Sequence, residues 1–265
     1  MQVYRGMDIG TAKATTAERA EVPHHLLDLA EPWERFTVAR FQQAAQQALA
    51  QIEARGHRAL LVGGTGLYLR AVVDRLRVPG EFPVVRTELE AEAAATGTEG
   101  LHRRLAAVDP PAAARIEPSN RRRVVRALEV TLGSGRPFSS FGPGLKEYGP
   151  TPFRMAGVWL PRDVVSARIA TRLRAQVAAG FVDEARSLAA SLSATARQAL
   201  GYKELLEHLE GRATLDAAID AAIGRTRAFA RRQRMWFRRD PRITWLAAGE
   251  DPLALLPTLL GNWSS

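Results

Sequence analysis

The chain has 265 residues, 46% of them apolar, no cysteine, and 37 Lys+Arg against 28 Asp+Glu, for a net charge of +9. That is enough apolar material for a sizeable core in one large domain, or in one domain carrying an insertion. The lack of cysteine excludes disulfides, thiolate metal sites and cysteine nucleophiles and fits a cytoplasmic protein. No apolar run approaches the ~18 residues of a membrane span, and the start, M-Q-V-Y-R-G-M-D, has no signal-peptide core. The clustered arginines point to a polyanionic partner.

Taken in order, Tyr4 to Lys13 has two glycines and no helical period and reads as loop. Val22 to Ala30 reads as a short strand entered through a proline. Thr37 caps a helix with Phe41, Ala45, Ala48 and Ile52 on one face, ending at Gly56. Arg58 to Val62 reads as a buried strand, and Gly63-Gly64-Thr65-Gly66 as the tight turn that starts the next helix. Such a turn lets backbone N–H groups approach an anion, and the Thr65 hydroxyl can cap the helix or touch that anion. No Lys-Ser/Thr follows these glycines, so this is not a Walker A loop, and an ordinary strand-to-helix turn fits equally well. The alternation predicts that the first half belongs to a parallel, doubly wound sheet.

From Pro79 the text becomes Ala- and Arg-rich and helical, closing with a Gly/Pro-rich link from Gly133 to Pro152. The domains expected are thus an α/β core over 1–78 and 152–265 and an all-helical insertion over 79–151. Strand character returns at Phe153 to Leu160. Helical runs follow over Asp163–Ala179, Val182–Ser191, Ala196–Glu210 and Leu215–Arg239, then a strand at Ile243–Leu246 and a short helix over Pro252–Leu260.

Arg225 to Arg239 holds seven arginines and no acid. Phe229, Gln233 and Trp236 form a stripe able to dock on the protein while the arginines point elsewhere. Like charges so close oppose one another, so RNA or phosphate contact is preferred to a plain solvated face. A second cluster, Asn120 to Arg126, lies on a helix of the insertion. Two separated arginine clusters suit a long polyanion, and binding should fall steeply with salt. Arg168 and Arg172, with Arg162 before them, have a spacing that can hold a diphosphate, although an exposed helix face fits as well. His24-His25 beside Asp28 lacks a third ligand at matching spacing and reads as a strand-end histidine bonded to backbone. Arg197 to Lys203 gathers amide, aromatic and cationic groups able to read and stack on a splayed base.

Together, M-Q-V-Y-R-G-M-D-I-G-T-A-K, V-P-H-H-L-L-D, L-V-G-G-T-G-L-Y-L-R-A, N-R-R-R-V-V-R-A-L-E-V, Q-A-L-G-Y-K-E and R-R-Q-R-M-W-F-R-R resemble the bacterial tRNA dimethylallyltransferases, or isopentenyltransferases, in family order over nearly the whole chain. The resemblance implies transfer of a dimethylallyl group from dimethylallyl diphosphate to the exocyclic amine of the adenine 3′-adjacent to the anticodon, with Mg²⁺, by a monomer. It implies an α/β, P-loop-NTPase-like parallel sheet core with a helical insertion that contacts tRNA. Thr65 is placed at the reaction centre, and Arg126 and Arg172 match basic positions implicated in substrate binding, Arg172 among the catalytic residues; Arg168 and Arg172 are the diphosphate-binding candidates that the spacing offers. The implied tRNA-binding residues are Met1, Gln2, Arg122, Arg123, Val124, Val125, Arg126, Gln198, Ala199, Leu200, Gly201, Tyr202, Lys203, Arg231, Arg232, Gln233, Arg234, Met235, Trp236, Phe237 and Arg238. At Gln198 some members carry arginine.

Members of the family begin with a strand, a G-x-x-x-x-G-K-[ST] loop, a helix and a strand ending in Asp-Ser, just before the residues that match Met1-Gln2. These first strands, the P-loop and the family's basic Asp are missing from the sequence as given. A unit of this kind takes roughly 30 to 40 residues. The expectation is therefore a start assigned at an internal methionine, with negligible transfer by the 265-residue chain alone. The alternatives are a non-catalytic RNA-binding protein and a small-molecule phosphotransferase with a P-loop-like core.

Overall fold

The computed structural model describes residues 1–142 and 144–264; Pro143, in the predicted link, lies outside the described residues, as does Ser265. The chain divides into two compact units, one of Met1–Val73 with Thr151–Ser265 and the other of Asp74–Pro150.

The first unit opens with a loop and α1 (Thr16–Glu21), which no helical period announced. Its signal was the capping box T-T-A-E: Thr15 accepts from the Glu18 N–H, and the Glu18 carboxylate accepts from the Thr15 N–H at 2.7 Å. The strand expected over Val22 to Ala30 is absent. Leu26 and Asp28 adopt positive φ (66° and 55°), which breaks an extended run, and only an isolated parallel bridge joins Tyr4 to Ala30. The helix α2 (Val38–Ala54) starts where expected, with Thr37 accepting from Arg40 N–H.

Arg58 to Val62 forms no strand, which corrects the reading of a buried one. No strand pairs with it among the described residues, so Leu60 and Val62 stand 66% and 81% exposed. The short apolar run suits a buried parallel strand, but it has no neighbouring strand among the described residues to bury against. The turn then leads into α3 (Gly66–Val73), whose last residues, Arg70 to Val73, are buried.

The second unit is built from α4 (Pro83–Thr96), α5 (Thr98–Val108), α6 (Pro110–Ala113) and α7 (Arg121–Ser134). Pro83 opens α4 at a position where its missing N–H costs nothing, and Asn120 caps α7 by accepting from Arg123 N–H. Leu89, Leu101, Leu105, Val124, Val125 and Leu128 form its core. Glu129, buried on α7, accepts from Phe82 N–H at 2.9 Å and pairs with Arg86 and Arg126 at 2.8 and 2.9 Å.

Back in the first unit, β1 (Met155–Trp159) pairs in parallel with β2 (Ile243–Ala247), Met155 opposite Ile243 and Trp159 opposite Ala247. Among the described residues this is the whole sheet, so both strands come from the second half of the chain. Parallel partners need a long crossover. Here it is four helices: α8 (Arg162–Ala178), α9 (Phe181–Leu188), α10 (Tyr202–Leu209) and α11 (Leu215–Phe237). The helix expected over Ala196–Glu210 is split into a 3₁₀ turn (Ala196–Gln198) and α10. At Gly201 φ is +86° and the Phe181 ring leaves no room for a Cβ. A 3₁₀ turn at Pro252–Leu255 and α12 (Leu256–Ser264) end the described chain. The core gathers Tyr4, Met7 and Phe36 of the first segment with Leu173, Phe181, Tyr202, Leu205 and Ile223 of the crossover helices. The result is an α/β fold that is mostly helical. No helix is long and apolar enough to cross a membrane among the described residues.

Candidate functional site

The turn Gly63-Gly64-Thr65-Gly66 is held from below by α11. Gln233 donates from Nε2 to the Gly64 carbonyl at 2.9 Å. A Cβ on Gly64 would lie 2.0 Å from that nitrogen, and one on Gly66 would lie 2.0 Å from Trp236 Nε1. None of Gly63, Gly64 and Gly66 has positive φ. The rigid Trp236 ring leaves no room for a side chain at Gly66, whereas a Cβ at Gly64 would displace the Gln233 amide, so close approach of the helix, and not backbone conformation, favours glycine at both positions. Thr65 itself is exposed. Its carbonyl accepts from Leu69 N–H at 3.0 Å, and its hydroxyl has no partner among the described residues.

The arginines of α11 divide by face. Arg225 pairs with buried Glu204 at 2.7 Å and donates to the Gln198 carbonyl at 2.9 Å. Arg227 reaches the Ser166 carbonyl at 3.4 Å, while its buried Nε has no partner. Arg234 donates to the Leu160 carbonyl at 2.6 Å and lies 3.6 Å over the Trp159 ring. Burial, then the charges of Arg162 and Arg238, push the Arg234 pKa down. Arg231, Arg232 and Arg239 are exposed and have no partner among the described residues; Arg238 touches only the Trp159 ring, at 5.7 Å. Met235 is exposed and Phe237 half-buried. One helix thus holds a protein-facing stripe, which includes Gln233 and Trp236, and an unneutralised cationic edge.

On α8, Arg168 donates to the Glu250 carbonyl at 3.2 Å. Arg172 is exposed, free of protein partners among the described residues. The stretch Gln198 to Lys203 is only in part a surface. Gln198 and Lys203 are exposed and Leu200 half-buried, but Ala199, Gly201 and Tyr202 are buried. Tyr202 cannot stack on a base: its ring meets Phe181 edge-on at 4.8 Å and its hydroxyl donates to Glu184 at 2.5 Å. Burial and that carboxylate hold the phenol far above its ordinary pKa.

The start of the chain depends on residues that the sequence did not single out. Glu184 accepts from the N–H groups of Asp8, Ile9 and Gly10 at 2.7 to 2.9 Å, which makes it the anchor of the glycine-bearing loop. Lys13 is buried, with Nζ on the Tyr4 carbonyl and Asp28 at 2.8 Å each and on Asp8. Burial would raise Asp28, but the bonds from Lys13 and Arg19 outweigh it and leave the carboxyl below its usual range. Gln2 gives its amide to the Thr11 and Ala12 carbonyls at 3.1 and 2.9 Å, and Met1 is exposed. Asp240, buried just past α11, is gripped by Arg242 at 2.6 to 2.8 Å, with Arg70 adding its charge; against the cost of burial these keep it ionised and its pKa low. No pattern in the sequence marked Lys13, Glu184 or Asp240, because each acquires its role from partners distant along the chain.

In the second unit, Arg122 and Arg123 are exposed with no partner among the described residues, whereas Val124 and Val125 lie in the core. Arg126 is committed to Glu129 and to the Pro79 carbonyl at 3.0 Å. Of the four arginines in the predicted cluster, Arg121 pairs with Glu90 at 2.8 Å and Arg126 with Glu129, which leaves Arg122 and Arg123 available to a phosphate.

His24 Nδ1 contacts the Val22 carbonyl at 2.7 Å, in keeping with the backbone-bonded reading. Among the described residues no three of His, Asp and Glu come together as metal ligands.

The comparisons with known proteins agree with one another. The profile of the IPP transferase family matches residues 2–240. The tRNA dimethylallyltransferase of Kineococcus radiotolerans is 50% identical over 98% of this chain and 83% of its own length. That of Salinispora tropica is 52% identical over 96% of this chain and 80% of its own. Among solved structures, the full-length tRNA isopentenylpyrophosphate transferase of Bacillus halodurans matches with a TM-score of 0.68 at 38% identity, over 99% of this chain and 86% of that one. The chain belongs to the IPP transferase family.

Proposed function

We propose that the chain acts as a tRNA dimethylallyltransferase, moving a dimethylallyl group from its diphosphate to the exocyclic amine of the adenine 3′-adjacent to the anticodon. The observation that carries this reading is the mounting of the Gly64-Thr65-Gly66 turn on α11, the same helix that exposes Arg231 and Arg232. The amine nitrogen attacks the prenyl carbon, the carbon–oxygen bond to diphosphate breaks, and the amine proton passes to a base. In this reading Thr65, with its free hydroxyl at the start of α3, is the residue that hydrogen-bonds the amine or the donor. Arg172, and Arg168 beside it, supply cationic groups for the leaving diphosphate. Arg122 and Arg123 of the helical unit and Arg231, Arg232 and Arg238 of α11 are the tRNA phosphate contacts this reading retains. Gln2, Val124, Val125, Arg126 and Tyr202 serve the fold around them. The P-loop-like assignment of the core, the cytoplasmic location, the monomeric state and the use of Mg²⁺ rest on the family resemblance; the parallel β1–β2 pair with its helical crossover supports the first of these.

The experiment is transfer of label from dimethylallyl diphosphate to tRNA by the purified chain, together with tRNA binding over a salt series. Salt-steep binding is expected, and any label that transfers is expected on adenine. Salt-steep binding without labelling points to a non-catalytic RNA-binding protein. Nucleotide binding with no salt-steep RNA affinity points to a small-molecule phosphotransferase.

A further inference from the structure

The exposed hydroxyl of Thr65 has no side-chain partner to orient it among the described residues, so its place is set by the backbone on either side. That backbone is gripped twice. Gln233 bonds the Gly64 carbonyl at 2.9 Å, and the Trp236 indole edge occupies the space where Gly66 would carry a side chain. Gln233 and Trp236 lie three residues apart on α11, one turn of helix, and Gly64 and Gly66 flank Thr65, so the two contacts bracket it. Arg231 and Arg232 precede Gln233 directly and face solvent.

We infer that Gln233 and Trp236 are positioning residues for Thr65, and that α11 acts as a rigid rule registering RNA held on Arg231 and Arg232 against the Thr65 hydroxyl. This rests on the transfer reading above. It assigns Gln233 and Trp236 to the turn, not to direct contact with RNA. The glycines belong to the same device: a Cβ at position 64 would displace the Gln233 amide from its bond, and one at position 66 would collide with the Trp236 ring.

The clamp is tested in the full chain with Gln233→Ala, Gly64→Ala and the double variant, and with Gln233→Asn as the milder change. Hydrogen exchange of the amides over 63–69 reports the clamp directly, and exchange in α2 confirms that the fold is retained. Faster exchange confined to the turn is expected in both single variants. The double variant should be no worse than Gln233→Ala alone, because removing the amide removes the clash with the new Cβ. Unchanged exchange in Gln233→Ala, or effects that simply multiply in the double variant, would overturn the clamp. In single-turnover transfer, the rate at saturating tRNA and donor should fall on the order of 10- to 100-fold, as for a displaced catalytic group, with tRNA affinity unchanged. An affinity loss with an unchanged saturated rate would show instead that Gln233 contacts RNA and would sink the positioning role. The exchange measurement needs no turnover, so a turn whose exchange ignores Gln233 would sink the clamp independently of the transfer reading.

Discussion

The hydroxyl of Tyr202 donates to the carboxylate of Glu184 at 2.5 Å inside the core of the larger unit, and the same carboxylate accepts three successive backbone N–H groups from Asp8, Ile9 and Gly10. A tyrosine that the sequence places beside a splayed base is thus a strut that ties α10 to α9 and, through Glu184, to the loop at the start of the chain. Removing only the hydroxyl separates the two roles. Tyr202→Phe should lower stability by about 1.5 to 3 kcal/mol, the usual range for a bond to a charged group, and leave tRNA affinity as it was. Urea denaturation and filter binding check this. Weakened binding at unchanged stability would return Tyr202 to the RNA surface.

The division of arginines along α11 gives a prediction in salt. Arg231→Gln and Arg232→Gln should each flatten the log–log salt dependence of tRNA binding by about one, as loss of a phosphate contact does. Arg225→Gln should leave the slope alone and lower stability, since that guanidinium is spent on Glu204 and the Gln198 carbonyl. Equal slopes for all three variants would mean that the cationic edge lies elsewhere.

Lys13 is the least expected of the buried charges. Its side chain is 1% exposed, and its ammonium is bonded to the Tyr4 carbonyl and to two carboxylates. Lys13→Met should cost about 3 kcal/mol, near the low end for breaking a buried pair because Asp28 and Asp8 keep some solvent. Chemical denaturation measures it, and a near-neutral result would show that the ammonium contributes no more than its desolvation costs.

Acid should destabilise both units. Asp28 and Asp240 in one, and Glu129 in the other, titrate below the ordinary carboxylate range: burial works against them, and their bonds to Lys13, Arg19, Arg242, Arg86 and Arg126 prevail. A depressed native pKa means the unfolded chain binds protons first. The stabilisation is then complete above about pH 5, starts to fade as pH drops through the unfolded value near 4, and is gone below the native value. Thermal melts from pH 7 to pH 3 should show this loss, and Glu129→Gln should shallow the acid limb while lowering stability at pH 7. A flat acid limb in the parent chain would refute the assignment.

Taken alone, the sequence determined what depends on local pattern. The Thr37 cap and α2, the start of α3 at Gly66, the parallel strand segments near 155 and 243 and the long basic α11 were all legible. Each is set by periodicity, capping or turn chemistry among residues a few positions apart. The ordered blocks also carried the family. Tertiary structure alone decided which side chains are free. Whether Leu60 and Val62 are covered depends on a neighbouring strand, and no residue near them can say so. Val124, Val125 and Tyr202 sit in basic text but belong to cores, because a helix passing between solvent and interior buries one stripe whatever its neighbours carry. Gly64 and Gly66 looked like an anion loop from their spacing. Their neighbours are Gln233 and Trp236, about 170 residues further along the chain, and only folding brings those atoms within van der Waals reach of the backbone on either side of Thr65.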